Sequence, residues 1–137
     1  MWKLSVHLTT ALPELRAVRH LVAFACRNEG GTDIESGLIE ISFGEALANA
    51  RLHAHASGTG QIMVDIAYDR PAMTVSVYND GSPLLDRSAI PDARPEEESR
   101  GWGLYVIGRA MDEVEIQRSP HSDRGTLIRM TKNFALV

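Results

Sequence analysis

The tightest constraint on this chain lies between Thr32 and His55. Thr32-Asp33-Ile34-Glu35 has the spacing of a capping box, in which a hydroxyl and a carboxylate satisfy each other's backbone N–H, so a helix starts here. Nothing breaks it before Ser57-Gly58-Thr59-Gly60. Inside it Glu45, Asn49 and His53 recur every fourth residue, which on an α-helix aligns them along one face. The same face is apolar upstream, through Leu38 and Ile41. A polar inset in a core-facing stripe needs a partner, because an unpaired polar group is costly to bury. A bound metal or phosphate would be such a partner. The interior glycines Gly37 and Gly44 each cost roughly 1 kcal/mol of helix propensity relative to alanine, and so imply close packing or close ligand approach.

The flanking elements follow from periodicity. Leu4, Val6 and Leu8 alternate with Ser5, His7 and Thr9, the pattern of a half-buried strand, with His7 on its solvated side. Thr9 or Thr10 caps the next helix and Pro13 sits in its first turn. Leu15, Val18, Leu21, Val22 and Ala25 carry that helix to Arg27, and Gly30-Gly31 ends it. Ile62, Val64 and Ile66 form a strand, Asp69-Arg70-Pro71 a turn, and Met73, Val75 and Val77 a second strand. By parity Asn79 faces the buried side of that strand, which ends at Asn79-Asp80-Gly81. From Leu84 to Arg100 no periodicity appears, and a loop of that length in one domain is either functional or disordered. Gly101-Trp102-Gly103 opens a helix with Leu104, Ile107, Ala110 and Met111 inward. Strands over Glu113–Gln117 and Thr126–Thr131 follow. The order β-α-α-β-β-α-β-β predicts an α+β fold, a two-layer sandwich with a mixed, mostly antiparallel sheet and helices on one face.

Bulk properties narrow the classes. The 137 residues fit one domain, and 44% hydrophobic with 23% charged residues is a globular composition. A net charge of −4 argues against direct, non-specific nucleic-acid binding. Cys26 is the lone cysteine, read as a small buried hydrophobe, so no internal disulfide forms and a reducing cytoplasm suits the chain. The N-terminus lacks a signal-peptide core and no run reaches membrane-spanning length, so no membrane role is expected.

Three constellations carry chemistry. Asn49 offers a neutral carbonyl oxygen of the kind Mg²⁺ accepts, while that cation takes other ligands from water and phosphate. Glu45, one turn earlier, is placed to orient a water or accept a proton from an attacking hydroxyl. Backbone amides from Gly101 to Leu104 at a helix start make an anion site, and the long segment before them is suited to close over a ligand. Each alone is weak: Glu-x-x-x-Asn and Gly-x-Gly are common, Asn-Asp-Gly is chiefly a turn signal, and Glu96-Glu97-Glu98 is an ordinary solvated run. The order in which they fall is the specific signal.

That order resembles the GHKL (Bergerat-fold) ATPases, and within them the anti-sigma-factor serine/threonine kinases. Phe43-Gly44-Glu45-Ala-Leu-Ala-Asn49-Ala-Arg-Leu-His53-Ala resembles the family's N box. Arg100-Gly101-Trp102-Gly103-Leu104 with the helix behind it resembles the second glycine box, and Gly125-Thr126 the third glycine element. The resemblance implies one histidine-kinase-like ATPase domain over 1–137 with an ATP lid at about 82–102, binding ATP and Mg²⁺. By it Asn49 ligates Mg²⁺, Glu45 is the catalytic base or water-orienter, and Gly101, Trp102, Gly103 and Leu104 lie at the phosphates. Thr126 lies on the adenine side. The family's adenine-binding aspartate is replaced: parity puts Asn79 there, with Gly81 as its glycine. A register shift of one would restore Asp80, at the expense of Ser82 where glycine is usual. Pro83 stands near the place of a second glycine.

The activity so implied is a protein kinase that binds a sigma factor and phosphorylates a STAS-type antagonist, regulating transcription by partner switching. Homodimers occur among close relatives of that family. An ATP-switched sequestering module without transfer is the alternative that Asn79 and Pro83 motivate. The catalytic piece of a sensor histidine kinase is a third, disfavoured because His20 lies on the first helix of the ATPase core itself.

Overall fold

The computed structural model describes residues 1–57, 60–81, 90–91, 93–95, 102–121 and 125–135, without side chains for 53–57. The elements are β1 (Trp2–Leu8), α1 (Leu12–Asn28), α2 (Asp33–Ser57), β2 (Ile62–Asp69), β3 (Ala72–Asn79), α3 (Trp102–Ala110), β4 (Glu113–Arg118) and β5 (Thr126–Asn133). Their order is the predicted one. The five strands form one sheet in the order β1-β2-β3-β5-β4, and all four pairings are antiparallel. The expected parallel contribution is therefore absent from this sheet. β3 and β5 are brought side by side after α3 and β4, and β5 enters next to β3 from the opposite end.

Strand alternation divides the sheet into an apolar and a polar face. Val64, Ile66, Met73, Val75, Val77, Ile128 and Met130 are buried towards the helices, where they meet Val22, Phe43 and Ile107. α2 supplies Ile39, Phe43, Ala46, Leu47 and Ala50 to this core at helical spacing. The capping box is formed: the Thr32 N–H donates to Glu35 Oε1 at 2.9 Å and the Glu35 N–H to Thr32 Oγ1 at 3.1 Å. Glu35 also accepts from the Ala135 N–H at 2.7 Å, which ties the end of the chain to the start of α2. The N–H donors of Thr32 and Ala135 hold its carboxyl below the usual range.

Several local expectations are corrected. α1 is capped by the backbone of Ala11, with no side-chain cap. Thr9 instead accepts from the Ala11 N–H and hydrogen-bonds to Glu14. Ile41 is 54% exposed and lies on the outer side of α2, because the stripe that continues from Glu45 and Asn49 runs through Ser42 and Leu38. Gly44 is explained by packing, since a Cβ there would lie 3.1 Å from the Arg19 guanidinium of α1. Gly37 meets nothing within 4 Å, so neither close packing nor an observed neighbour accounts for it. Cys26 is fully buried as expected, and burial with the nearby Glu40 charge pushes its thiol up to about 12.

The polar face has its own organisation, which periodicity alone did not reveal. Ser5 Oγ donates to Asp65 Oδ1 at 2.6 Å, and Lys3 lies 3.5 Å from the other oxygen. Tyr78 donates to Asp65 as well. Burial of Asp65 pushes its carboxyl up, but these hydrogen bonds and the Lys3 charge outweigh it and leave it below the usual aspartate range. A carboxylate stabilised in this way strengthens the fold above the ordinary aspartate value, and that contribution disappears as pH falls through the lowered one. Asp65→Asn is expected to lose about 1–2 kcal/mol in urea unfolding at pH 7, and to lose less relative to the parent at pH 3. An equal loss at both pH values would remove the charge from the explanation.

Ser36 and Ser42 of α2 are fully buried, and their hydroxyls have no partner among the described residues. An unpaired buried hydroxyl destabilises, and alanine has the higher helix propensity. Ser42→Ala should therefore stabilise the chain by about 1 kcal/mol, read as a higher urea midpoint at unchanged slope.

Candidate functional site

Two close approaches build the site. The first joins α2 to α3. The stripe Leu38, Ser42, Glu45 and Asn49 flanks the core stripe of α2, and Glu45 and Asn49 are each partly exposed. A Cβ on Gly103 would lie 2.7 Å from Glu45 Oε2, so the start of α3 rests directly against this carboxylate. A side chain there would oblige the Glu45 carboxylate to shift. Trp102, at the first position of α3, stacks edge-on to Tyr105 at 5.9 Å and lies under the Arg94 guanidinium, 5.4 Å from its ring centre. Further along, a Cβ on Gly108 would lie 2.7 Å from Ile90 Cγ2. Gly103 and Gly108 thus admit α2 and the segment before α3, respectively. Leu104 packs against the core.

The second approach lies at the end of the sheet. Asn79 is 7% exposed, belongs to the helix-facing set of β3, and stands opposite Thr126 of β5, which is 1% exposed. Gly125 has φ +93°, and a Cβ there would lie 1.9 Å from the Asn79 carbonyl oxygen. No other residue fits this turn into β5. Asn79 Oδ1 accepts the buried Gly81 N–H at 2.9 Å, closing the strand end on itself. Asn79 and Asp80 both line a cleft of about 540 Å³ at the ends of β1–β3, with His7, Glu14, Gln61, Tyr78 and His121. The His121 ring stands 4.9 Å from Tyr78. This cleft was not anticipated, since its residues come from five separated stretches with no shared motif.

The structure therefore groups the expected residues into two clusters. Glu45 meets Gly103 at the α2–α3 contact, with Asn49 one turn further along α2 and Trp102 and Leu104 on either side of Gly103; Asn79, Gly81 and Thr126 come together at the end of β3 and β5. Asp80 lines the cleft together with Asn79. Gly101, Ser82, Pro83, the acidic run at Glu96–Glu98 and the His53 side chain lie outside the described residues. No cluster of three His, Cys, Asp or Glu suited to a metal occurs among the described residues.

Comparison with known proteins decides what this arrangement belongs to. The family described as "Histidine kinase-like ATPase domain" matches residues 8–132. The chain belongs to that family. Among its relatives is an anti-sigma F factor of Thermoanaerobacter sp. (strain X514), 31% identical over 98 residues, which cover 69% of this chain and 67% of that protein. The anti-sigma F factor of Heyndrickxia coagulans is 33% identical over 98 residues, covering 67% of this chain and 65% of the relative. The fold is shared with the RsbU and RsbW domains of Rv1364c from Mycobacterium tuberculosis, with a TM-score of 0.72 at 19% identity over 100% of this chain and 34% of that one. It is also shared with the SiaB–SiaC complex from Pseudomonas aeruginosa, with a TM-score of 0.64 at 20% identity over 94% of this chain and 88% of the other. A histidine kinase-like ATPase fold implies a nucleotide site. Among the described residues, no helix is long and apolar enough to cross a membrane.

The Gly103 contact makes a separable prediction. In Gly103→Ala the added methyl displaces the Glu45 carboxylate, while alanine raises helix propensity by up to about 1 kcal/mol. Melting temperature should hold or rise, and any nucleotide-dependent phosphotransfer should fall about as far as in Glu45→Gln. Unchanged transfer beside a raised melting temperature would show that the carboxylate's position is immaterial.

Proposed function

We propose that the chain is an anti-sigma-factor-type serine/threonine protein kinase that uses Mg-ATP and phosphorylates a STAS-type antagonist within a partner-switching circuit. The observation that carries this reading is the Glu45 carboxylate held against Gly103 at the start of α3, one helical turn from Asn49. The relatives named anti-sigma F factors support the regulatory setting, with a sigma factor as the second partner. Family membership supports the nucleotide.

In this reading the triphosphate lies between α2 and the start of α3. The first amides of α3 face its oxygens without side chains in the way, as a helix N-terminus favours anions. When bound, Mg²⁺ neutralises phosphate charge, and Asn49 is the residue that would hold it. Glu45 accepts the proton of the partner's hydroxyl as that oxygen forms its bond to the γ-phosphorus. The bond from that phosphorus to the β–γ bridging oxygen breaks, and ADP leaves with the electron pair. General-base assistance of this kind is worth about 10²–10⁴ in rate.

The test is incubation with radiolabelled Mg-ATP and purified STAS-domain candidates. Label on a partner serine or threonine, reduced at least ~100-fold in Glu45→Gln with nucleotide affinity retained, is the expected outcome. Asn49→Ala should weaken Mg-dependent nucleotide binding. A second reading is favoured by Asn79, which stands where a charged acceptor is usual: a module that binds its partner only with nucleotide and transfers nothing. ATP-dependent partner binding without label would select it.

A further inference from the structure

The helix layer is apolar on its outer side as well as on its inner one. On α2, Ile34, Ile41, Ala48 and Leu52 recur at whole-turn spacings, which aligns them opposite the core residues Phe43 and Ala50. Ile34 is 76%, Ile41 54% and Leu52 68% exposed. A single exposed apolar residue needs no explanation, but a stripe over roughly 27 Å of helix does. Gly37 lies beside the same stripe, and a Cβ there would meet nothing within 4 Å. That gap in the row of side chains lets another backbone come close.

α1 extends this face. Arg27 reaches Glu40 at 3.9 Å and the Arg19 guanidinium lies against Gly44, so Phe24, 65% exposed, comes level with Ile41. Between the two helices Arg16, Arg19, His20 and Glu40 line a groove of about 310 Å³. Arg51 stands exposed at the far end of the stripe, beside Leu52. Arginines therefore gather on the outer side, against Asp33 and the already engaged Glu40, in a chain whose net charge is −4. The charge complementary to such a face is negative. Glu45 joins the face to the chemistry, because it follows Ile41 by one turn and precedes Ala48 by slightly less than one.

We propose that the outer face of α1 and α2 docks the protein substrate through an acidic, amphipathic helix. This rests on the kinase reading above and names the surface by which that kinase holds its partner. The apolar side of the incoming helix covers Phe24, Ile41 and Leu52, comes closest to α2 at Gly37, and turns its carboxylates to Arg16 and Arg51. A groove between two packed helices accepts a third as a ridge. A partner so seated borders Glu45, so its hydroxyl reaches that carboxylate from the solvent side of the layer. Apolar contact supplies most of the affinity, and the arginines set the sign of the charge the partner must carry.

The test pairs the full chain with the STAS-domain candidate that takes up label, or binds with nucleotide, in the assay above. Ile41→Asp should weaken that partner about tenfold or more and raise its KM by more than it lowers kcat, with Mg-ATP affinity retained. Arg16→Glu should weaken the partner about fivefold and flatten the loss of affinity that added salt causes in the wild type. Both positions are exposed, so the melting temperature should hold. Partner affinity and KM unchanged in both variants would overturn the inference and leave the kinase reading standing. Wild-type partner binding that salt does not weaken would overturn it too. So would variants that alter only self-association in sedimentation, since that assigns the face to a second copy of the chain. If no candidate binds the wild type or takes label from it, the kinase reading and the inference fall together.

Discussion

The contact between Glu45 and Gly103 is the point on which the rest of the helical layer depends. α2 buries one stripe, from Ile39 to Ala50, against the sheet, and that burial fixes its rotation. The neighbouring stripe, Ser42, Glu45 and Asn49, is then obliged to face α3. Gly103 lets the start of α3 lie against the Glu45 carboxylate without displacing it. The arrangement leaves a trace of compromise in Ser42, whose buried hydroxyl has no partner among the described residues.

The end of the sheet is organised by a comparable steric rule. β5 begins beside Asn79 and must turn into the sheet without touching its carbonyl. Gly125, in a left-handed conformation with no room for a Cβ, allows it. Asn79 and Thr126 are thereby paired at the boundary between core and site. The two glycines, 103 and 125, act at opposite walls of the proposed pocket. Gly125 permits a backbone-to-backbone approach that no other residue allows, and Gly103 one that leaves the Glu45 carboxylate in place.

The order of elements was legible because each carries a strong period or cap: Thr32 with Glu35, the alternation of Ile62 to Ile66, and the double glycine after Arg27. The helix-facing parity of Asn79 was legible for the same reason, since a strand period of two assigns its face once Val75 and Val77 are placed in the core. Other features depended on contacts between distant stretches. Ile41 could be seen to be outward only once α1 and α3 were placed around α2. The Asp65 network needed the register of β1 against β2, which brings Ser5 opposite Asp65. The amide orientation of Asn79 needed the turn at Gly81, which residue types alone do not specify. Parity identified the residue, and the turn identified the atom.

The polar face of the sheet bears on the site from behind. Tyr78 and Asn79 are consecutive, so they project to opposite faces. Tyr78 is nearly buried, donates to Asp65 and meets the edge of His121. Burial, with that hydrogen bond and the Asp65 charge, pushes its phenol up and keeps it a donor across the physiological range. Its backbone is paired on both sides, to Met63 and Leu127. The position of Asn79 is therefore set before any ligand arrives, by a hydrogen-bonded network on one face and by Gly81 and Gly125 on the other. Rotating its amide would break the Gly81 contact, and shifting its backbone would disturb the Tyr78–Asp65 pair.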